Sequence, residues 1–222
     1  MSKHLERDLA NLQRDLMTLA SSVEEAIGKA IKSLTMRDHG LAQQVIDGDR
    51  QIDEDENHVE EECLKMLALH QPVAVDLRRI TAALKINAEL ERMGDLAEDI
   101  AERAIHLATL PPIPLPNKLQ RMTDLTTSMV RQSLDAFINL DVKLAAMVCR
   151  MDDEVDRCVV RGGPYVINMA VQYKSNPSIP CVRVLATLGK GAEAIAFAQN
   201  GRVASRSRAG ARGSSLTGAA VL

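Results

Sequence analysis

Glu91, Asp95 and Asp99 follow one another at steps of four, with Glu98 and Glu102 close by. On a helix this spacing stacks the three carboxylates on one face, a turn apart. Asp49, Asp53, Glu56 and Glu60 form a second set at similar steps, and the stretch from Asp47 to Glu62 holds nine acids against Arg50 alone. Like charges one turn apart destabilise a helix by about 0.2–0.5 kcal/mol per pair. A hard cation removes that repulsion. Sites made only of carboxylates suit magnesium, calcium, manganese or iron rather than zinc or copper. The competing reading is an acidic face that is simply solvated, and on composition alone both stand. His39, His58, His70 and His106 are isolated and no Glu-x-x-His pair occurs, so the mixed ligand set of a di-iron ferritin-type bundle is missing.

Other chemistry is harder to find. Cys63, Cys149, Cys158 and Cys181 are widely spaced, which gives neither a zinc knuckle nor a redox pair and fits a reducing cytoplasm. A carboxylate-bridged metal hydrolase or oxidase would need an open metal position and a base or nucleophile beside it. No motif supplies one. Two Phe, two Tyr and no Trp argue against base-stacking platforms for single-stranded nucleic acid. Residues 1–157 hold 29 acids against 19 Lys and Arg, whereas residues 158–222 hold Glu193 alone against eight. The first part would repel nucleic acid and the basic tail could attract it only weakly, so no nucleic-acid partner is expected. The charged N-terminal residues and the lack of a long apolar run lead us to expect a soluble cytoplasmic protein with no transmembrane segment.

The elements that carry these acids are written twice, 103 residues apart. Leu41, Ala42, Val45, Asp49, Ile52 and Asp53 reappear as Leu144, Ala145, Val148, Asp152, Val155 and Asp156. Upstream, Ile27, Ile31, Leu34 and Asp38 reappear as Val130, Leu134, Phe137 and Asp141. A period this long is a duplicated helical unit rather than a solenoid repeat. The repetition of the aspartates, with the seam interrupted at Gly48/Asp49 and Asp55/Glu56, brings metal binding level with the solvated-face reading, and adds Asp152 and Asp156 to the candidate ligands.

Helix one shows a seam of threes and fours: Leu5, Leu9, Leu12, Leu16, Leu19, Val23, Ile27, Ile31 and Leu34. Helix two begins near Asp38-His39-Gly40, carries Leu41, Val45, Ile52, Val59 and Met66, and stops at His70-Gln71-Pro72. Helix three runs from about Val73 to Thr109 on Ile86, Leu90, Met93, Ala97, Ile100, Ala104 and Leu107. Its stripe of Ile80, Leu84 and Ala88 leads into Glu91, so an inward face is expected to turn acidic half-way. The prolines of residues 111–117 form an extended connector. Helix four follows with Leu119, Met122, Met129, Val130, Leu134 and Phe137, and helix five starts near Asp141. The expected organisation is all-α: a three-helix repeat over 1–110, the connector, a second and divergent repeat over 118–201, and a disordered tail over 202–222.

The run from Leu90 to Glu102, Leu-Glu-Arg-Met-Gly-Asp-Leu-Ala-Glu-Asp-Ile-Ala-Glu, resembles the signature of the PhoU family of phosphate-transport accessory proteins. Gln71-Pro72-Val73-Ala74, Asp76-Leu77-Arg78 and the Asp-x-x-(Ile/Val)-Asp pattern of Asp49–Asp53 and Asp152–Asp156 agree with it, over about residues 3–157. The resemblance implies a six-helix fold of two tandem bundles with multinuclear metal sites on the acidic helices. Iron, manganese or magnesium are the expected ions. It also implies a non-enzymatic regulator that restrains phosphate uptake and the phosphate-starvation response. Its expected partners are the ATPase subunit of the phosphate ABC transporter, the sensor histidine kinase, and a second copy in a homodimer. A metal-binding scaffold with no phosphate role is the alternative.

The last third departs from the pattern. A strict shift of 103 sets Glu91, Asp95 and Asp99 against Ala194, Ala198 and Arg202. With one residue deleted, Glu193 takes the place of Glu91, but the central aspartate has no counterpart. Gly162-Gly163-Pro164 falls inside the expected fifth helix, where each glycine costs about 1 kcal/mol and proline about 3 relative to alanine. An altered reading frame or a decayed terminus is our hypothesis for this change. It fails if neither other frame of the coding DNA after codon 157 yields a Glu-x-x-x-Asp helix.

Overall fold

The computed structural model describes residues 3–112, 119–155 and 157. These form five helices and no strand: α1 Lys3–Met36, α2 His39–His70, α3 Ala74–Ala108, α4 Leu119–Asn139, and α5 over 142–155. Three long antiparallel helices make the first unit, with α1 packed on both α2 and α3, and α4 lying antiparallel along α1.

The core follows the 3.6-residue period. All nine expected seam positions of α1 are buried, as are the seven of α3 and the six of α4. In α2 the seam differs by one side chain at its start. Ala42 is buried and Leu41 only half-buried, while Cys63 adds a buried position that the apolar pattern did not include. Burial pushes the Cys63 thiol up to about 12, with Glu60 and Glu62 adding to the effect. It is therefore a packing group and not a nucleophile.

The duplication is visible in the turns. Arg37 ends α1 at φ 56° and Leu140 ends α4 at φ 54°, both left-handed and 103 residues apart. The next amide then reaches back five residues: Asp38 N–H donates to the Ser33 carbonyl and Asp141 N–H to the Ala136 carbonyl, each at 2.9 Å. This satisfies a helix-end carbonyl in the Schellman manner. Each aspartate also caps the helix that follows. Asp38 Oδ1 accepts from Leu41 N–H at 3.1 Å, and Asp141 Oδ1 from Leu144 N–H at 3.0 Å. Arg37 uses its left-handed position to reach across the bundle end, where Nη2 donates to the carbonyls of Ala108 (3.1 Å) and Leu110 at the end of α3.

At the opposite end, α2 stops at Gln71 with φ 44°, and Pro72 prevents its continuation. His70 Nε2 meets Asp8 Oδ2 at 2.9 Å, which ties the start of α1 to this turn. Among the described residues no helix is long and apolar enough to cross a membrane. The expected ligands Asp156 and Glu193, together with Gly162-Gly163-Pro164 and the tail 202–222, lie outside the described residues, as does most of the connector.

Candidate metal centre

The acidic stripes of α2 and α3 meet along their shared edge. Asp49 and Asp53 of α2 and Asp95 of α3 each offer a carboxylate oxygen, and these oxygens lie within 4.8 Å of one another. Two oxygens bound at roughly 2.1–2.4 Å to one cation can be no more than about 4.8 Å apart. The spacing thus fits one hard ion held by three side chains, and the all-oxygen donor set suits magnesium, manganese, calcium or iron.

The stripe is not the inward face expected from sequence. Ile80 is buried, Leu84 half-buried and Ala88 exposed, so the line leaves the core before it turns acidic. Asp49 is half-buried while Asp53 and Asp95 are exposed. The seam instead passes through Leu90, Met93, Ala97 and Ile100, which places the acids on the rim beside it. A rim is the better place for a cation that must enter from water.

Three further acids stand around the trio. Partial burial raises the carboxyl of Glu91 above its ordinary range, with Asp95, Glu56, Asp53 and Asp49 adding to it. Asp49 is raised by burial and then by Asp53 and Asp95. Asp95 is raised by burial and then by Asp53 and Asp99. Glu56 and Glu98 are raised the same way, burial first and acidic neighbours after. A group of carboxyls that repel one another's ionisation is short of positive charge. Asp99, expected as a ligand, is half-buried and has Arg103 as a partner at 3.6 Å, one turn on. Asp152, the repeat of Asp49, is buried on α5.

Two residues that sequence reasoning did not single out shape the site. Asn87 is 1% exposed and sits on the buried side of α3. Its Nδ2 donates to the Glu56 carbonyl at 2.9 Å and to Glu56 Oε1 at 2.8 Å, which holds that carboxylate toward α3. The signal for it was an amide between the seam positions Ile86 and Leu90. Gly94 lets the helices approach. A Cβ there would lie 3.0 Å from Ile52 Cγ2 and 3.5 Å from Asp49 Oδ1. It sits inside the Met-Gly-Asp run, where α2 and α3 must come close for Asp49 and Asp95 to meet.

The comparisons with known proteins agree with this architecture. The PhoU domain model matches residues 16–104 and 119–186. A phosphate-specific transport system accessory protein PhoU homolog of Aquifex aeolicus (strain VF5) is 43% identical over 150 residues, covering 68% of this chain and 68% of that protein. A homolog of the same description from Pseudomonas putida is 37% identical over 158 residues, 71% of this chain and 62% of its own. The aligned stretch thus spans roughly two thirds of these relatives. A crystal structure of PhoU from Pseudomonas aeruginosa superposes with a TM-score of 0.83 at 32% identity, covering 87% of this chain and 96% of that one. With the same turn between the first two helices of each copy and a family match over most of its length, the chain belongs to the PhoU family.

Proposed function

We propose that the protein is a negative regulator of phosphate uptake and of the phosphate-starvation response. It acts as an accessory to the phosphate ABC transporter and to the sensor histidine kinase, by protein contacts and without catalysis. The support is membership of the family, whose curated relatives are described as phosphate-specific transport system accessory proteins. In this reading the protein is a cytoplasmic homodimer.

The observation that carries the metal part is the convergence of Asp49, Asp53 and Asp95 on one point. These would hold the first ion, with Glu56, Glu91 and Glu98 placed to bind further ions or waters. The ion would supply charge neutralisation along the α2–α3 edge and so fix the relative position of two helices. Asp99, Asp152, Asp156 and Glu193 complete the set that the duplicated pattern proposes. Equilibrium dialysis with elemental analysis tests the metal. A pull-down at low salt on the transporter ATPase subunit and on the sensor kinase tests the partners, and binding to neither would sink the regulatory reading.

A further inference from the structure

We propose that the groove between the start of α3 and the end of α4 docks an acidic amphipathic helix of a partner protein. The groove holds about 410 Å³ and combines apolar Val75, Phe137 and Leu140 with the cations Arg78, Arg79 and Lys85. Val75 is 58% and Leu140 57% exposed, large aliphatic side chains left in water at adjoining helix ends. Among the described residues several other cations are paired: Lys29 with Glu25, Arg50 with Glu54, Lys65 with Glu62, Arg131 with Glu24. Among the described residues, the side chains of Arg78, Arg79 and Lys85 have no ion pair or hydrogen bond.

Charge and shape select the occupant. This chain's own terminal segment, residues 158–222, has eight Lys and Arg against Glu193 and is of the wrong sign. A bilayer would rest on the two helix ends and leave the recess between them empty, whereas a helix ridge fits into it. Arg78 and Lys85 stand seven residues apart, about 10.5 Å along α3. They match carboxylates two turns apart on a docked helix, with an aliphatic stripe beside them laid on Val75, Phe137 and Leu140. Asp95 is 16 residues beyond Arg79, about 24 Å along the same helix. The groove is therefore separate from the carboxylate edge, and each can be lost without the other.

The test uses the full chain and a short fluorescein-labelled amphipathic helix with Glu on its polar face, followed by anisotropy. A counterpart with Lys for Glu is the control. The acidic peptide should bind saturably and the basic one should not. Binding should weaken as sodium chloride rises from about 0.05 to about 0.3 M. Arg78→Glu with Arg79→Glu should weaken it at least about tenfold while leaving metal content unchanged. Lys85→Glu, a single exposed change, should weaken it too if the double variant melts early. Equal binding of both peptides, or undiminished binding by these variants, overturns the proposal. So does displacement of the peptide by a second copy of the chain, or by phosphatidylserine vesicles at lower concentration than the peptide needs. Binding to the transporter ATPase or the kinase is measured separately, so failure of the groove and failure of the regulatory reading are told apart.

Discussion

At the scale of single residues, the metal edge depends on groups of two kinds, those that touch the ion and those that aim them. Glu91→Ala with Asp95→Ala should lower bound metal, and a double variant with unchanged metal content and melting temperature would show that these are not ligands. Asn87→Ala keeps every carboxylate but releases Glu56, whose Oε1 it holds at 2.8 Å. Loss of such an orienting partner typically weakens metal binding about 10–100-fold, so manganese titration of Asn87→Ala should show weaker binding with unchanged stoichiometry. The carboxyls of Asp49, Glu56, Glu91, Asp95 and Glu98 are all raised, first by burial. An acid whose folded pKa lies above its unfolded value takes up protons on folding, so the metal-free protein loses stability as pH rises from the ordinary carboxylate range, about 4, through the raised values. Asp8, lowered chiefly by its hydrogen bond from His70, works in the opposite sense at acid pH. In EDTA the melting temperature should be higher at pH 5 than at pH 7.5. Saturating manganese should shrink that difference, as should Asp49→Asn with Asp95→Asn. A metal-free protein that is more stable at pH 7.5 contradicts the crowding of charge described for this edge.

At the scale of elements, helix existence and core faces were legible because long seams at steps of three and four admit one burial pattern. All nine α1 positions from Leu5 to Leu34 are buried. The repeat was legible for the same reason, and Asp38 and Asp141 proved to be equivalent caps. What was not legible is where a stripe leaves the core. Ile80, Leu84 and Ala88 share a face on a helical wheel, but which part of that face α2 covers is set by the approach of two helices, and periodicity does not carry that distance. Gly94 does carry it, once its neighbour Ile52 is known. This sets up a matched pair of substitutions. Alanine gains about 1 kcal/mol over glycine in a helix interior. At Gly28 a new Cβ meets nothing within 4 Å, so Gly28→Ala should raise the melting temperature. At Gly94 the Cβ would press on Ile52 at 3.0 Å, a β-branched side chain with little freedom to move, and overpacking costs about 1–3 kcal/mol. Gly94→Ala should therefore gain nothing or melt lower, and should weaken metal binding by parting Asp49 from Asp95. If thermal scans show equal stabilisation by both changes, the helices do not approach as closely as described.

For the whole molecule, the two copies differ in how much of their character the sequence retains. Repeat one has complete seams, and its three helices close on one another, α2 against α3, α1 against both. Its candidate metal trio belongs wholly to α2 and α3. Repeat two repeats the α1 seam as α4 and the start of α2 as α5, and the family match within it ends at residue 186. Beyond Asp156 the candidate acids reduce to Glu193, so the chain offers one full carboxylate edge and the beginning of another. If the first copy is a self-sufficient bundle, a fragment ending at Pro116 should fold and keep the ion. Its cost is the face of α1 that α4 covers, along which Phe137 packs near Leu12 and Leu16 and Arg131 reaches Glu24 at 2.5 Å. Uncovering side chains of that size forfeits roughly 1.5–3 kcal/mol for each one that becomes fully exposed. The fragment should thus melt cooperatively but well below the full chain, with manganese raising its midpoint by binding only the folded form. Glu91→Ala with Asp95→Ala in the same fragment should abolish that rise. A fragment that shows helical circular dichroism and a cooperative melt, yet no response to manganese, would mean that the ion needs the second repeat and that Asp49, Asp53 and Asp95 do not make a site by themselves.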